Sequence, residues 1–187
     1  GKSYSNVFHA NGGSAAFSVM ANTLRGIYGT DVLLATANSF TGSVLQADYT
    51  QKMAVSMIMP NGLMAYPRTM TGAELKETVR AFVEGCEGGF VPFNRGSLPV
   101  ASGIAVEVKE NDGRYTLTGI TRNGQPLKED DTVTVTCLAT AKQRTALFPH
   151  EGSALADGGV WVKDTWREFV LGGGAALAEP EPYMTLR

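Results

Sequence analysis

The clearest pattern of apolar and polar positions in this chain lies between residues 71 and 85. Its apolar residues recur at i, i+4, i+7 and i+8, so one stripe of a helix is apolar and charged residues fill the rest. The stripe consists of Leu75, Val79, Phe82 and Val83. Thr71 and Glu74 have the spacing of a capping box, in which each side chain binds a free backbone N–H at the helix start. The pattern predicts an amphipathic helix that starts at Thr71, stops at Gly85 and packs on a core.

Other stretches are typical of helices and of buried strands. Residues 15–25 form a helical run with Ser14 as its cap and Gly26 as its stop. Residues 31–37 are mostly apolar and bounded by turn residues, which predicts a buried strand. Further helices are predicted over residues 46–57, 139–147 and 161–171.

The middle of the chain has the marks of β-hairpins. Asn61-Gly62 between two short apolar runs is a type I′ turn signal, and turns are also predicted at residues 111–113 and 122–124. Strands are predicted at residues 104–108, 132–138 and 183–186. Because helices mix with antiparallel strands and no βαβ repeat is seen, the predicted class is α+β. The expected architecture is a layered mixed α/β domain with hairpin-rich sheets flanked by helices.

Composition limits the kind of protein this is. With 187 residues, of which 43% are hydrophobic and 18% charged, the chain is long enough for one globular domain. A net charge of −2 does not indicate binding to a nucleic acid polymer, and no apolar run is long enough for membrane insertion. Since the first residue is Gly rather than Met, we expect a piece of a longer protein, with a lead-in at 1–12 and a domain at 13–187.

The sequence offers little catalytic chemistry of its own. It has two histidines and neither H-E-x-x-H nor D-x-H, so no metal ligands are predicted. It has no G-x-S-x-G motif, and Ser102 is expected to have a backbone role. Cys86 and Cys137 are either a buried pair of thiols or one disulfide. We therefore expect no catalytic residues in this chain alone.

The order of several short motifs resembles the C-terminal domain of the 5'-nucleotidase family. That family reads roughly A-D-A-L-R, A-D-I-A-L, P-F-G-N, T-G-A-E-L, V-S-G, N-G-x-P-L and T-Y-x-V. The corresponding stretches here are A-N-T-L-R at 21–25, T-D-V-L-L at 30–34, P-N-G at 60–62, T-G-A-E-L at 71–75, V-A-S-G at 100–103, N-G-Q-P-L at 123–127 and D-T-V-T-V at 131–135. The resemblance extends from about residue 13 to residue 187.

The resemblance implies a role in an exported, bacterial nucleotide-degrading hydrolase. In that family the C-terminal domain holds the nucleotide, while an N-terminal metallophosphoesterase domain carries two divalent metal ions. The implied partners are therefore that N-terminal domain of the same polypeptide and a small nucleotide or nucleoside-like ligand. The implied location is extracellular, on the cell surface or in the periplasm.

The family's ligand-binding residues transfer poorly to this sequence. Its N-G-G-G-I-R loop falls on residues 38–43, where Asn38 fits and the arginine is missing. The first of its two base-stacking aromatics falls on Leu98, and the second, near residues 137–144, cannot be identified. Local candidates for substrate binding combine aromatic rings with guanidinium groups, which suit bases and anions. With Asn38, they are Phe90, Phe93, Asn94, Arg95, Arg144 and Phe148.

Two readings of the function follow from this pattern. In the first, the domain recognises the nucleotide for a metallophosphoesterase whose metal site lies in the N-terminal domain. In the second, it is a non-catalytic cell-surface binding or structural module that keeps the fold and has lost the nucleobase pocket. A self-contained enzyme is the least favoured reading.

Overall fold

The computed structural model describes residues 12–40, 62–84, 99–112, 114–141, 144, 153–154, 159–172 and 178–187. The helices in these ranges are α1 (Ala15–Tyr28), α2 (Gly72–Glu84) and α3 (Val162–Leu171). The strands are β1 (Val32–Thr36), β2 (Leu63–Thr71), β3 (Pro99–Ser102), β4 (Ala105–Asn111), β5 (Arg114–Arg122), β6 (Gln125–Pro126), β7 (Thr132–Thr140), β8 (Ser153–Ala154), β9 (Val160–Trp161) and β10 (Met184–Leu186). None of the helices in the described ranges has the length and apolar character of a membrane span.

The first sheet has the order β3-β1-β7-β2-β8, and β9 also pairs with β2. At its centre β1 is buried at every position, as expected for a strand that is covered on both faces. β1 runs parallel to β7, with Leu34 opposite Cys137, whereas the sequence suggested antiparallel strands. The two strands are far apart in the chain, so local sequence patterns could not reveal this pairing.

The second sheet has the order β10-β4-β5-β6, and β10 runs parallel to β4. Helix α2 packs against both sheets. On one side the Thr78 hydroxyl contacts Met70 Sδ of β2 at 3.8 Å, and on the other the Leu117 N–H of β5 donates to Glu84 Oε1 at 3.0 Å. This layered arrangement confirms the predicted α+β class.

The predicted capping box at the start of α2 is confirmed. The Thr71 N–H donates to Glu74 Oε2 at 2.7 Å, and the Glu74 N–H donates back to Thr71 Oγ1 at 3.2 Å. All four residues of the predicted apolar stripe are buried. The predicted stop, Gly85, lies outside the described residues.

The T-G-A-E-L and N-G-Q-P-L motifs meet in the fold. The Gly72 N–H donates to Asp131 O at 2.7 Å and the Ala73 N–H donates to Glu129 O at 3.0 Å. A Cβ atom on Gly72 would lie only 1.8 Å from Lys128 O, so this close approach requires glycine. The Asn123-Gly124 turn, with φ angles of 53° and 75°, leads to the buried Leu127 beside Gly72. These motifs therefore have structural roles.

Several predicted element ends differ from the structure. Helix α1 has the predicted cap, since the Phe17 N–H donates to Ser14 Oγ at 3.4 Å, but it passes through Gly26 and ends at Gly29 with φ 64°. The helix predicted from residue 139 is wrong at its start, because Ala139 and Thr140 extend β7 and pair with β2. The predictions for residues 46–57 and for the Asn61 turn lie outside the described residues, as does most of 141–147.

The chain's last described segment runs back along α1. The Ser18 hydroxyl donates to Glu181 O and accepts from the Glu181 N–H, both at 2.8 Å. Asn22 Nδ2 donates to Glu179 O at 2.7 Å. At the other end of the segment, the Gly12 N–H donates to Met184 O at 2.7 Å. Side chains of α1 thus fix residues 178–183, which lead into β10 of the second sheet.

Candidate functional site

Four strands of the first sheet end or begin at the same edge, next to the predicted binding residues. Thr36 at the end of β1 pairs with Pro99 at the start of β3, and Leu63 at the start of β2 pairs with Thr140 at the end of β7. Because β1 and β7 are parallel, both pairs lie at one end of the sheet. We call this the loop end of the sheet.

The structure places two of the seven predicted binding residues. Asn38 is exposed in a 3-10 turn (Ala37–Ser39) directly after β1, and Arg144 is half-buried a few residues after β7. The other five, Phe90, Phe93, Asn94, Arg95 and Phe148, lie outside the described residues and stay predictions. The first four of these come shortly before β3 in the chain, and Phe148 follows Arg144.

The turn that follows β1 is shaped by packing. The Thr36 N–H donates to Ser39 Oγ at 3.3 Å, and the side chain of Ser39 is buried. Phe40 is buried as well, and its ring stacks on that of Phe17 with 5.7 Å between the centroids. Of these turn residues, Asn38 presents the exposed polar side chain.

Tyr66 and Arg68, in the middle of β2, form a cluster with Arg144, which follows β7. The guanidinium carbon of Arg144 lies 5.3 Å from the centroid of the Tyr66 ring, and that of Arg68 lies 6.0 Å from it. Both distances are within cation–π range. We call these three residues the arginine–tyrosine cluster.

The two positive charges of this cluster have no acidic partner among the described residues. No carboxylate in those ranges comes within 4.0 Å of either guanidinium. Arg68 is only 5% exposed, and its one hydrogen bond there runs from Nη1 to Pro67 O at 2.8 Å. A buried charge normally has a partner, and within the described ranges the Arg68 guanidinium has only the Pro67 carbonyl and the Tyr66 ring.

The Cys137 side chain next to the cluster is uncharged. Cys137 of β7 lies opposite Tyr66 in the sheet and is fully buried as a free thiol. Burial raises the pKa of this thiol far above its usual value, although the charge of Arg68 opposes the shift. The thiol is therefore neutral and gives no countercharge to Arg68. Because Cys137 is a free thiol, the disulfide alternative is wrong. Cys86 lies outside the described residues, so the burial of its thiol stays a prediction.

Arg68 and Tyr66 were not among the binding residues predicted from the sequence. The alternation along β2 could have indicated Arg68. This arginine shares one face of the strand with Met64, Tyr66 and Met70, so its charge lies among apolar side chains. Such a charge on a buried face indicates a functional role more strongly than an arginine in a loop does.

At the opposite end of the sheet, Asp31 connects three strands. Arg122 Nη2 of β5 donates to Asp31 Oδ1 at 2.8 Å, while the N–H and hydroxyl of Thr134 both donate to Oδ2 at 2.9 Å. Partial burial alone would raise the pKa of the Asp31 carboxyl. The Thr134 hydrogen bonds and the charges of Arg122 and Arg25 outweigh this effect and hold the pKa below its usual value.

A cleft of 270 Å³ lies beside this network. Its walls come from the end of α1, the β3–β4 turn, the β5–β6 turn and the last segment of the chain; the residues are Arg25, Gly103, Ile104, Ala105, Thr121, Asn123, Gly124, Glu181 and Pro182. Arg25 Nη1 donates to Asp31 O at 3.2 Å. No residue predicted to bind substrate lines this cleft.

The described residues hold no site for a metal ion and no activated serine. They contain no group of three or more His, Cys, Asp or Glu side chains placed to ligate a metal. Ser102 is buried, and its hydroxyl donates to Asn22 Oδ1 at 2.5 Å, so it joins β3 to α1. We derive no catalytic step from this chain.

The chain shares its fold with solved 5'-nucleotidase structures. It is similar to the 5'-nucleotidase precursor of Thermus thermophilus, with a TM-score of 0.68 and 14% identity over 96% of this chain. It is also similar to the NAD nucleotidase of Haemophilus influenzae, with a TM-score of 0.62 and 16% identity over 94% of this chain. A putative 5'-nucleotidase of Staphylococcus aureus, solved with alpha-ketoglutarate, matches 91% of this chain with a TM-score of 0.64 and 12% identity.

The chain spans only about a third of each of these proteins, namely 36%, 34% and 36% of their lengths in the same order. No protein-family model matches the sequence, and no curated protein does. The resemblance read from the sequence motifs is thus confirmed as a likeness of fold, at a length that fits one domain of the larger proteins.

Proposed function

We propose that this chain is the nucleotide-recognition domain of a larger 5'-nucleotidase-like metallophosphoesterase. The observation that carries the proposal is the shared fold over nearly the whole chain, at about a third of the length of proteins named 5'-nucleotidase and NAD nucleotidase. The hydrolytic step, with two divalent metal ions, belongs to an N-terminal domain of the same polypeptide. The protein is exported to the cell surface or the periplasm.

The loop end of the sheet is the proposed place for the nucleotide. Asn38 and Arg144 follow strands that end there, and the aromatic candidates Phe90 and Phe93 precede the strand that starts there. An aromatic ring stacks on a base with about 1–3 kcal/mol, and a guanidinium binds a phosphate through paired hydrogen bonds. The candidates therefore combine the chemistry needed for a base and for its phosphate.

The alternative function is a cell-surface binding or structural module without a nucleobase pocket. One observation favours it: in the turn after β1, Ser39 and Phe40 are buried in packing contacts, and the family's loop arginine is missing from residues 38–43. Among the described residues that follow β1, Asn38 alone therefore offers an exposed polar side chain to a ligand.

Two experiments separate these functions. The first examines the reading frame upstream of Gly1 for D-x-H and G-N-H-D clusters and measures hydrolysis of AMP by the full-length protein with manganese or zinc. The second titrates this chain with adenosine and AMP by calorimetry. Metal-dependent hydrolysis with saturable binding supports nucleotide recognition. A reading frame without metal ligands and a flat titration would favour the alternative module.

A further inference from the structure

We propose that the arginine–tyrosine cluster is a receptor for a phosphate group, with Arg68 and Arg144 as its binding residues. This inference rests on the proposed function and assigns the phosphate of the ligand to residues that the family resemblance did not indicate. Its basis is the position of two guanidinium groups, 5.3 and 6.0 Å from one buried ring, without a carboxylate partner in the described ranges.

The burial of Arg68 is the first argument. Removing a guanidinium from water costs free energy unless an opposite charge or several hydrogen bonds replace the water. Arg68 is 5% exposed, yet in the described part of the chain it has one hydrogen bond to a carbonyl and a distant contact with a ring. An arriving anion would supply the missing interactions.

The charge and shape of the cluster set the class of ligand. Two cations near one ring favour a dianion over a monoanion, because each unit of negative charge interacts with both of them. The planar guanidinium fork matches the oxygens of phosphate and sulfate. The thiol of Cys137 adds no competing negative charge, since it is neutral and buried.

The position of the cluster agrees with this assignment. Arg144 follows β7 at the loop end, and Tyr66 and Arg68 lie on β2, which starts at that end. If a phosphate is held there, we expect the attached nucleoside to extend toward the loop-end candidates such as Asn38. The same chain would then hold both parts of a nucleotide.

The test compares phosphate binding by the unmodified chain and by Arg68→Met, with calorimetry and thermal unfolding. Met has a similar length and no charge, so we expect phosphate to bind at least about tenfold more weakly. We also expect the ligand-free variant to unfold at a higher temperature, because a buried charge has been replaced by an apolar side chain. A purely structural role for Arg68 predicts the opposite change in unfolding temperature.

Control variants and competing salts test whether a change in phosphate affinity comes from the cluster itself or from net charge and ionic strength. Arg167→Gln removes a charge from an exposed position on α3 and should leave phosphate binding unchanged. Arg144→Gln should weaken binding less than Arg68→Met does, because Arg144 is half-buried and its charge is better screened. Sulfate should compete with phosphate, whereas acetate and chloride at equal ionic strength should not.

The possible results separate this inference from the proposed function. If adenosine binds and phosphate does not, the phosphate receptor is refuted while nucleotide recognition stands. Phosphate binding that survives both Arg68→Met and Arg144→Gln also refutes the receptor. If Arg68→Met fails to fold, the phosphate affinities of Arg144→Gln and Arg167→Gln are compared instead. Equal affinities of these two variants would overturn the inference.

Discussion

At the scale of single residues, two helical glycines should respond to alanine in opposite ways. Gly26 lies inside α1 with nothing within 4 Å of an added Cβ, so Gly26→Ala should stabilise the protein by about 0.5–1 kcal/mol. Gly72 opens α2, where an added Cβ would lie 1.8 Å from Lys128 O, so Gly72→Ala should destabilise it by about 1–3 kcal/mol.

Urea unfolding of the two alanine variants measures these changes directly. Gly72 is the first residue of its helix and Gly26 lies inside one, so the sign of the change at Gly72 reports the contact with the 128–131 turn. A Gly72→Ala variant as stable as Gly26→Ala would show that this turn moves aside at little cost.

Asp31 should make stability depend on pH in the acid range. Its pKa in the folded protein lies below the value of about 3.9 in an unfolded chain. A group of this kind adds stability above the unfolded pKa and loses it as the pH falls through the folded pKa. The advantage of the unmodified protein over Asp31→Asn should therefore be largest near neutral pH and should shrink below about pH 4.

Urea unfolding of both proteins between about pH 7 and about pH 2 tests this expectation. Glu110→Gln, which removes an exposed carboxylate at the end of β4, is the matched control for a general change of net charge. A constant difference between the unmodified protein and Asp31→Asn across the whole range would contradict the role assigned to the charge.

At the scale of elements, the start of α2 depends on two side chains that share their hydrogen bonds. Thr71→Ala should cost about 1 kcal/mol because the Glu74 N–H loses its acceptor. Glu74→Ala should cost a similar amount, since the Thr71 N–H loses its own acceptor. Because the two side chains also bond each other at 3.0 Å, the double variant should lose less than the two single losses combined.

Equilibrium unfolding of these three variants gives the interaction term of the cycle. Strict additivity would mean that the two caps act independently, in contradiction to the observed reciprocal bonds. A loss near zero for Thr71→Ala would place the helix start elsewhere.

Elements with a strong local signal could be predicted from the sequence. Helix α2 was recognisable because its cap and its apolar stripe lie within fourteen residues of one another. The end of α1 was misplaced because Gly26 takes a helical conformation, while Gly29 takes the left-handed one. Residues 139–140 became strand because β2 offered nine paired positions, which outweighed local helix propensity.

At the scale of the whole molecule, the candidate site depends on contacts that no local pattern contains. Tyr66 and Arg144 are far apart in the sequence and meet because β2 pairs with β7. The resemblance to the family predicted the fold correctly, since its motifs lie in helices, strands and turns along the whole chain. It could not indicate Arg68, because residue 68 falls between the motifs at 60–62 and 71–75.

The contact between α1 and residues 178–183 also joins parts of the chain that are far apart in the sequence. Asn22 is 6% exposed and joins three elements, since its amide donates to Glu179 O while its carbonyl oxygen accepts from the Ser102 hydroxyl. Its position in the A-N-T-L-R motif therefore reflects tertiary structure. The second sheet is held to the first partly through this residue.

Asn22→Ala should destabilise the protein by about 1–3 kcal/mol, because the buried Ser102 hydroxyl loses its acceptor and Glu179 O loses the Asn22 donor. Native-state hydrogen exchange should show faster exchange at the Glu181 N–H, whose bond to α1 depends on the same segment. Thr118→Ala, which removes one exposed hydrogen bond between β5 and β4, is the control. If Asn22→Ala accelerated exchange no more than Thr118→Ala does, Asn22 would contribute little to holding the segment, and the Ser18 bonds and β10 would hold it instead.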